Sequence, residues 1–228
     1  MRRSDLNRCL RDADTLFSQH RAALPRWSRW SPAEWDAHPA LAAFCAEHQM
    51  GWDVTDFGLG RFAERGLVLF CVRNGIQGRP GERPYAEKLL VVGEGQETPF
   101  HFHRVKMEDI IVRGGGTLVV EVQETDAGGR PTGAPATVLC DGERRTLSPG
   151  EALRLNAGES VTMHRGLAHR FYGDPGSGTV LVGEVSQVND DYTDNYFLEP
   201  LGRFTPIEED EAPWRLLWNE LGTRARTS

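Results

Sequence analysis

Cysteine is scarce in this chain. Its 228 residues include only Cys9, Cys45, Cys71 and Cys140. No two are spaced as a CxxC pair, so the spacing suggests neither a disulfide framework nor a zinc ribbon. Scattered thiols among apolar neighbours suit a reducing cytosol, where cysteine serves as a small hydrophobe. Basic residues are in the minority: 26 Lys+Arg against 33 Asp+Glu leave a formal net charge of −7. That argues against a general nucleic-acid binder, whose affinity comes from clustered cations facing phosphates. No apolar run reaches the roughly 18 residues needed to cross a bilayer, so no membrane span is expected. The opening MRRSDLNRCLRD has no apolar h-region and does not read as a secretory signal. These absences lead us to expect a cytoplasmic protein. Hydrophobic residues at 39% and charged residues at 26% fit an ordinary globular chain with a substantial core.

The first 50 residues read as helical. Leu6, Leu10, Ala13, Leu16 and Phe17 recur at helical spacing after a cap at Ser4. In Ser31-Pro32-Ala33-Glu34, Ser31 caps, Pro32 suits the first helical position and Glu34 completes a capping box. From about residue 66 the texture changes to short β-rich runs broken by Gly and Pro: GLVLFCVRNG (66–75), AEKLLVVGEG (86–95), EDIIVRGGGTLVVEVQ (108–123), TVLCDG (137–142) and SGTVLVGEVSQV (177–188). Many short strands with turn signals predict a sandwich or barrel. TDAGGRPTGAPAT (125–137) reads as a hairpin loop, and WRLLWNELG (214–222) as a short amphipathic helix. The expected organisation is one unit: a helical extension over 1–60, a β-barrel over 61–206 and a tail with a short helix over 207–228.

Chemistry concentrates in GQETPFHFHRVKMED (95–109). His101 and His103 are two residues apart, so on a strand both imidazoles face the same side. Glu108 follows across a bend, and His169 in HRGLAHRF adds a third imidazole from another strand. Three neutral nitrogens and one anionic oxygen suit Mn²⁺, Fe²⁺, Ni²⁺, Co²⁺ or Zn²⁺ and leave positions open for substrate. The spacing Gly95-x5-His101-x-His103-x4-Glu108-x6-Gly115 matches the first cupin motif. The second motif is met at Gly158, Gly166 and His169, but His164 stands at its proline and Gly173 at its terminal Asn. His164 therefore reads as a turn residue and not a ligand. The cupin resemblance implies a mainly β, double-stranded β-helix (jelly-roll) barrel with the metal in its mouth.

The whole chain further resembles the D-lyxose ketol-isomerase family of sugar isomerases. The carrying segments are Gly51–Gly58 (GWDVTDFG), YAEK (85–88), TPFHFHRVKMEDIIVRGGGTLVVEV (98–122) and VLVGEVSQVNDDYTDNYFLEPLGRF (180–204). The resemblance implies a Mn²⁺-dependent aldose–ketose isomerase that interconverts D-lyxose and D-xylulose, and also D-mannose and D-fructose. It also implies a homodimer acting on a small-molecule sugar. Such a reaction moves hydrogen between C1 and C2, so it needs a cation to polarise the oxygens, a base and a donor for developing charge.

Position nominates the partners. Lys106 lies between His103 and Glu108 and is a candidate donor. Glu184 interrupts the apolar run VLVGEV and is a candidate base, because a carboxylate is expensive to bury unless paired or working. One of Glu87 and Lys88 faces inward by alternation, and Lys88 is favoured as a substrate ligand. Asp190, Asp191 and Asp194 form an acidic cluster expected to cap the pocket and bind sugar hydroxyls. Phe100, Phe102, Phe171 and Tyr172 are candidates to offer a ring face. The competing readings are a cupin dioxygenase, which shares the ligand set, and a sugar-binding cupin without turnover.

Overall fold

The computed structural model describes residues 1–224. Helix α1 (Arg3–Gln19) is followed by a helical turn, the short α2 (Pro32–Asp36) and α3 (Pro39–Glu47). The cap of α1 is Arg2, not Ser4. Ser4 lies inside the first turn and its hydroxyl donates to Asp210 at 2.7 Å. The Ser31–Glu34 capping box at α2 forms as expected.

The expected helical extension ends at Glu47, because Gly51–Thr55 is already a strand, β1, paired along its length with β2 (Leu67–Arg73). The strands that follow are β3 (Tyr85–Val92), β4 (Glu97–Phe102), β5 (Glu108–Gly115), β6 (Leu118–Gln123), β7 (Ala136–Cys140), β8 (Glu143–Leu147), β9 (Ala152–Leu155), β10 (Ser160–Met163), β11 (Ala168–Gly173), β12 (Val180–Gln187) and β13 (Tyr196–Phe197). The terminal helix, α4 (Trp218–Arg224), starts later than the sequence pattern suggests. Residues 225–228 of the expected tail lie outside the described residues.

The strands form two antiparallel sheets. One runs β1-β2-β3-β12-β5-β10-β7-β8 and the other β13-β4-β11-β6-β9. They face each other as the expected jelly roll. Alternation decides what fills the space between them: on β3, Ala86, Lys88, Leu90 and Val92 are buried while their neighbours are less so. Leu90, Val92, Ile110, Val112, Val120 and Phe171 belong to one interior core. At the end of β5, Gly115 takes φ +84°, and a side chain there would sit 2.1 Å from the Thr179 carbonyl oxygen. Only glycine permits both.

The outer face of β1 and β2 is also buried. The predicted apolar stripe Leu6, Leu10, Ala13 and Phe17 of α1 packs there on Trp52, Val54, Val68 and Phe70. Arg3, 1% exposed, pins this helix to the C-terminal segment through Glu209 at 2.6 Å and through Glu220.

Candidate metal centre and active site

Two facing sheets bring the four predicted ligands together. His101 on β4 and His169 on β11 are direct cross-strand partners. His103 follows the end of β4. The Gly166 N–H donates to the His103 carbonyl at 2.7 Å, from a turn where Gly166 has φ +80°. Glu108 opens β5 on the opposite sheet. All four are buried, and one ligand atom from each lies within 4.8 Å of the others.

The protons decide what this cluster can hold. His101 Nδ1 lies 2.8 Å from the Pro99 carbonyl, and His169 Nδ1 lies 3.1 Å from the Leu167 carbonyl. His103 Nδ1 meets the Asp194 carbonyl. A carbonyl can only accept, so each imidazole carries its proton on Nδ1 and presents an Nε2 lone pair to the interior. Nε2 of His103 and of His169 are buried with no hydrogen-bond partner. His169 Nε2 stands 2.9 Å from Glu108 Oε1, and His103 Nε2 stands 3.6 Å from it. Those are lone pairs facing a carboxylate. They repel unless a cation lies among them, so the donor set fits a divalent metal ion.

Electrostatics preserve that state. Burial holds His101 well below the ordinary imidazole value, with His169 and His103 adding to the effect. Burial, then the Lys106 ammonium, pushes His103 down to about 4. For Glu108, burial alone would raise the pKa, but Lys106 and the imidazoles hold it well below the carboxylate range. His101 and His103 are therefore neutral and Glu108 anionic at neutral pH, as metal binding requires.

Beside this centre lies a buried network of alternating charge. Lys106 Nζ donates to Glu108 at 2.7 Å and to Glu184 at 3.0 Å. Lys88 stands opposite Glu184 across the β3–β12 ladder, and its Nζ reaches Glu184 at 3.1 Å. Lys88 donates as well to Asn189 Oδ1 at 2.6 Å. Burial would lower the Lys106 pKa, but Glu108 and Glu184 hold it above the usual lysine value. Burial would raise Glu184, but Lys106 and Lys88 hold it down. The alternation of β3 is settled: Lys88 points inward, while Glu87 faces outward to Arg73 at 2.8 Å.

The cavity over the centre is lined by Lys88, Lys106, Glu184 and Asp191 from the sequence candidates. Asp190 and Asp194 do not line it. Asp190 accepts from Gln49, Tyr192 and Thr193. Asp194 accepts the backbone N–H groups of Arg104, Val105 and Lys106. Of the candidate rings only Phe171 lines the cavity. Phe102 stacks on Tyr196, Arg170 covers Phe100, and Tyr172 donates to Glu121. His164 is 45% exposed beside Glu124, away from the centre.

Several lining residues had no sequence signal of their own. Arg203 joins Asp53 at 2.5 Å and Asp191 at 3.0 Å, and Trp218 of α4 donates to the same Asp53 oxygen at 3.3 Å. Burial would raise Asp191, but Arg203 and the two lysines hold it far below its usual value. Thr55, Phe57, Asn195 and Phe197 also line the wall. These residues come from β1, from β13 and from loops distant in sequence, and no local motif links them.

Known proteins resemble this chain along nearly its whole length. A family model described as D-lyxose isomerase matches residues 1–221. A D-lyxose/D-mannose isomerase of Escherichia coli O157:H7 is 46% identical over 222 residues, covering 96% of this chain and 98% of the relative. One of Serratia proteamaculans is 45% identical over 224 residues, covering 96% and 97%. Among solved structures, L-ribose isomerase of Acinetobacter sp. DL28 in complex with L-ribose is 19% identical with a TM-score of 0.61, covering 91% of this chain and 98% of that one. That likeness carries the fold alone. With a matching family model over nearly its whole length and close relatives that share it end to end, this chain belongs to the D-lyxose isomerase family of sugar isomerases.

Proposed function

We propose that this chain is a Mn²⁺-dependent aldose–ketose isomerase that interconverts D-lyxose and D-xylulose, and D-mannose and D-fructose. The observation that carries the reading is the convergence of three Nε2 lone pairs and Glu108 beside Glu184, itself held between Lys88 and Lys106. His101, His103, Glu108 and His169 would hold the ion. A divalent cation there would supply Lewis acidity toward the sugar oxygens.

The chain's own groups do the rest. Glu184 is ionised and buried, so it can take the C2 proton of the open-chain aldose and return it to C1. The C2–H bond breaks, C1 gains that hydrogen, the C2 hydroxyl proton passes to the C1 oxygen and the carbonyl moves from C1 to C2, with no net oxidation. Lys106 aims its ammonium at the same space and donates to oxygen charge as it develops. Lys88 keeps Glu184 oriented, while Lys106 lies between Glu184 and Glu108 and screens one carboxylate from the other. Asp191, joined to Arg203, offers acceptor oxygens to sugar hydroxyls at the wall. Leu67, Leu69, Phe171 and Phe197 make the rest of the wall apolar and limit water around the sugar.

The test is an assay of free aldoses for ketose formation, with each first-row metal in turn. D-lyxose should yield D-xylulose, manganese should support the highest rate, and chelation should abolish turnover until metal is restored. Oxygen consumption with iron would replace this reading by a dioxygenase. Sugar binding without turnover under every metal would reduce the protein to a binding module.

A further inference from the structure

We propose that Asp194 is a positioning residue for the metal centre, acting through the backbone that links two of its parts. The inference rests on the metal-dependent reading above and extends it to a side chain that lines no part of the cavity.

The geometry is a carboxylate in a nest of amides. Asp194 Oδ1 accepts from the Arg104 N–H at 2.7 Å and the Val105 N–H at 3.1 Å, and Oδ2 accepts from the Lys106 N–H at 3.0 Å. Three successive N–H groups thus converge on one buried anion, 5% exposed. Such nests bind anions through oriented amide dipoles. Here the anion belongs to the chain and arrives from a segment about 90 residues later. The carbonyl of the same residue accepts from His103 Nδ1. One residue therefore fixes the tautomer of a ligand and the path of the loop running from that ligand to Lys106.

The loop has no ladder of its own, since residues 103–107 lie between β4 and β5. Its ends carry His103 and Glu108, and Lys106 on it reaches both Glu108 and Glu184. Without the Asp194 carboxylate, three buried or half-buried amides lose their acceptor. The loop keeps its contacts with Gly166, Arg165 and Gln187 and the Lys106 ion pairs, but its middle can shift. A shift of about 1 Å in a reacting group can cost on the order of 10²-fold in rate. The loss would fall on kcat and on metal affinity together, because Lys106 and His103 move with the same segment. KM should change little, because Asp194 does not touch the cavity.

The experiment compares Asp194→Ala and Asp194→Asn with Asp126→Asn. Asp126 is a matched control: its carboxylate also accepts loop amides, from Gly128 at 2.8 Å and Arg130 at 3.0 Å, but on an exposed hairpin loop away from the cavity. Mn²⁺ affinity is read by calorimetric titration of metal-free protein, with kcat and KM on D-lyxose and thermal melting alongside. For Asp194→Ala the expected result is a fall in kcat of about 10²-fold and in Mn²⁺ affinity of about 10–100-fold, the range seen for groups that orient metal ligands. KM should stay within about threefold. Asp194→Asn keeps the volume and one acceptor oxygen, so it folds even where the alanine variant does not, and it should lie between wild type and alanine. Asp126→Asn should leave all three quantities unchanged. Folded Asp194→Asn with wild-type kcat and Mn²⁺ affinity would overturn the proposal. A wild-type protein that binds Mn²⁺ but isomerises no aldose would defeat the functional reading instead, and the calorimetric comparison would still decide the role of Asp194.

Discussion

The eight-stranded sheet has two buried regions that use burial in opposite ways. Under α1, its outer face joins apolar side chains: Leu6, Leu10 and Phe17 against Trp52, Val54, Val68 and Phe70, with Phe17 stacked on Trp52 at 5.8 Å. On the inner face Lys88, Glu108 and Glu184 are buried as charges and meet Lys106 and three imidazoles. Taking one ion out of water costs several kcal/mol even after relaxation. The first region therefore stabilises the fold, while the second draws on that stability to hold charges in fixed places. Each inner charge has an opposite neighbour within 3.1 Å, which is the condition for tolerating it.

That contrast can be broken at each end. The largest effect should come from Glu184→Gln, which removes the proposed base and leaves two ammonium groups facing an amide. A fall in kcat of about 10²–10⁴-fold is expected, measured by initial rates on D-lyxose, with KM far less affected. A kcat within threefold of wild type would move the base elsewhere. Next, Phe17→Ala should remove about 3–5 kcal/mol of stability, read by urea unfolding, because a large buried ring leaves a cavity. Its kcat and KM should match wild type, and a loss of activity in the folded variant would show that the two faces are coupled. The smallest effect concerns Asp191, whose carboxyl the Arg203 guanidinium and the lysines hold below its ordinary value of 3.8 despite burial. A depressed carboxyl contributes stability that is present above the unfolded value and lost as pH falls through the folded one. Asp191→Asn should thus melt below wild type at pH 7, with the gap narrowing below about pH 4. A gap constant down to pH 3 would sink that assignment.

Legibility followed the same division. The four candidate metal ligands could be read because each lies in a short motif whose spacing maps onto strand alternation or a tight turn. Glu184 and Lys88 were legible as charges inside apolar runs. Arg203, Asn189 and Asn195 were not, because a polar residue in a loop carries no periodic signal. Asp190 and Asp194 share composition and neighbourhood with Asp191, yet only Asp191 reaches the cavity. Within so tight a turn, the direction of each side chain depends on the backbone path. The strand at Gly51–Thr55 was hidden for a related reason: with both faces buried, it shows no alternation, and helical neighbours precede it.

The amino-acid sequence by itself determined the two periodicities, and with them the α1 stripe, the β-barrel and the four inward-facing groups that fit a cation. Those are local properties, set by side-chain direction along a single element. Only the tertiary structure decided which carboxylate sits between two lysines, which aspartate meets Arg203 and which one grips the loop amides. Those pairings join segments separated by tens of residues, and their energy arises only where two sheets exclude water and a lone charge must find its partner.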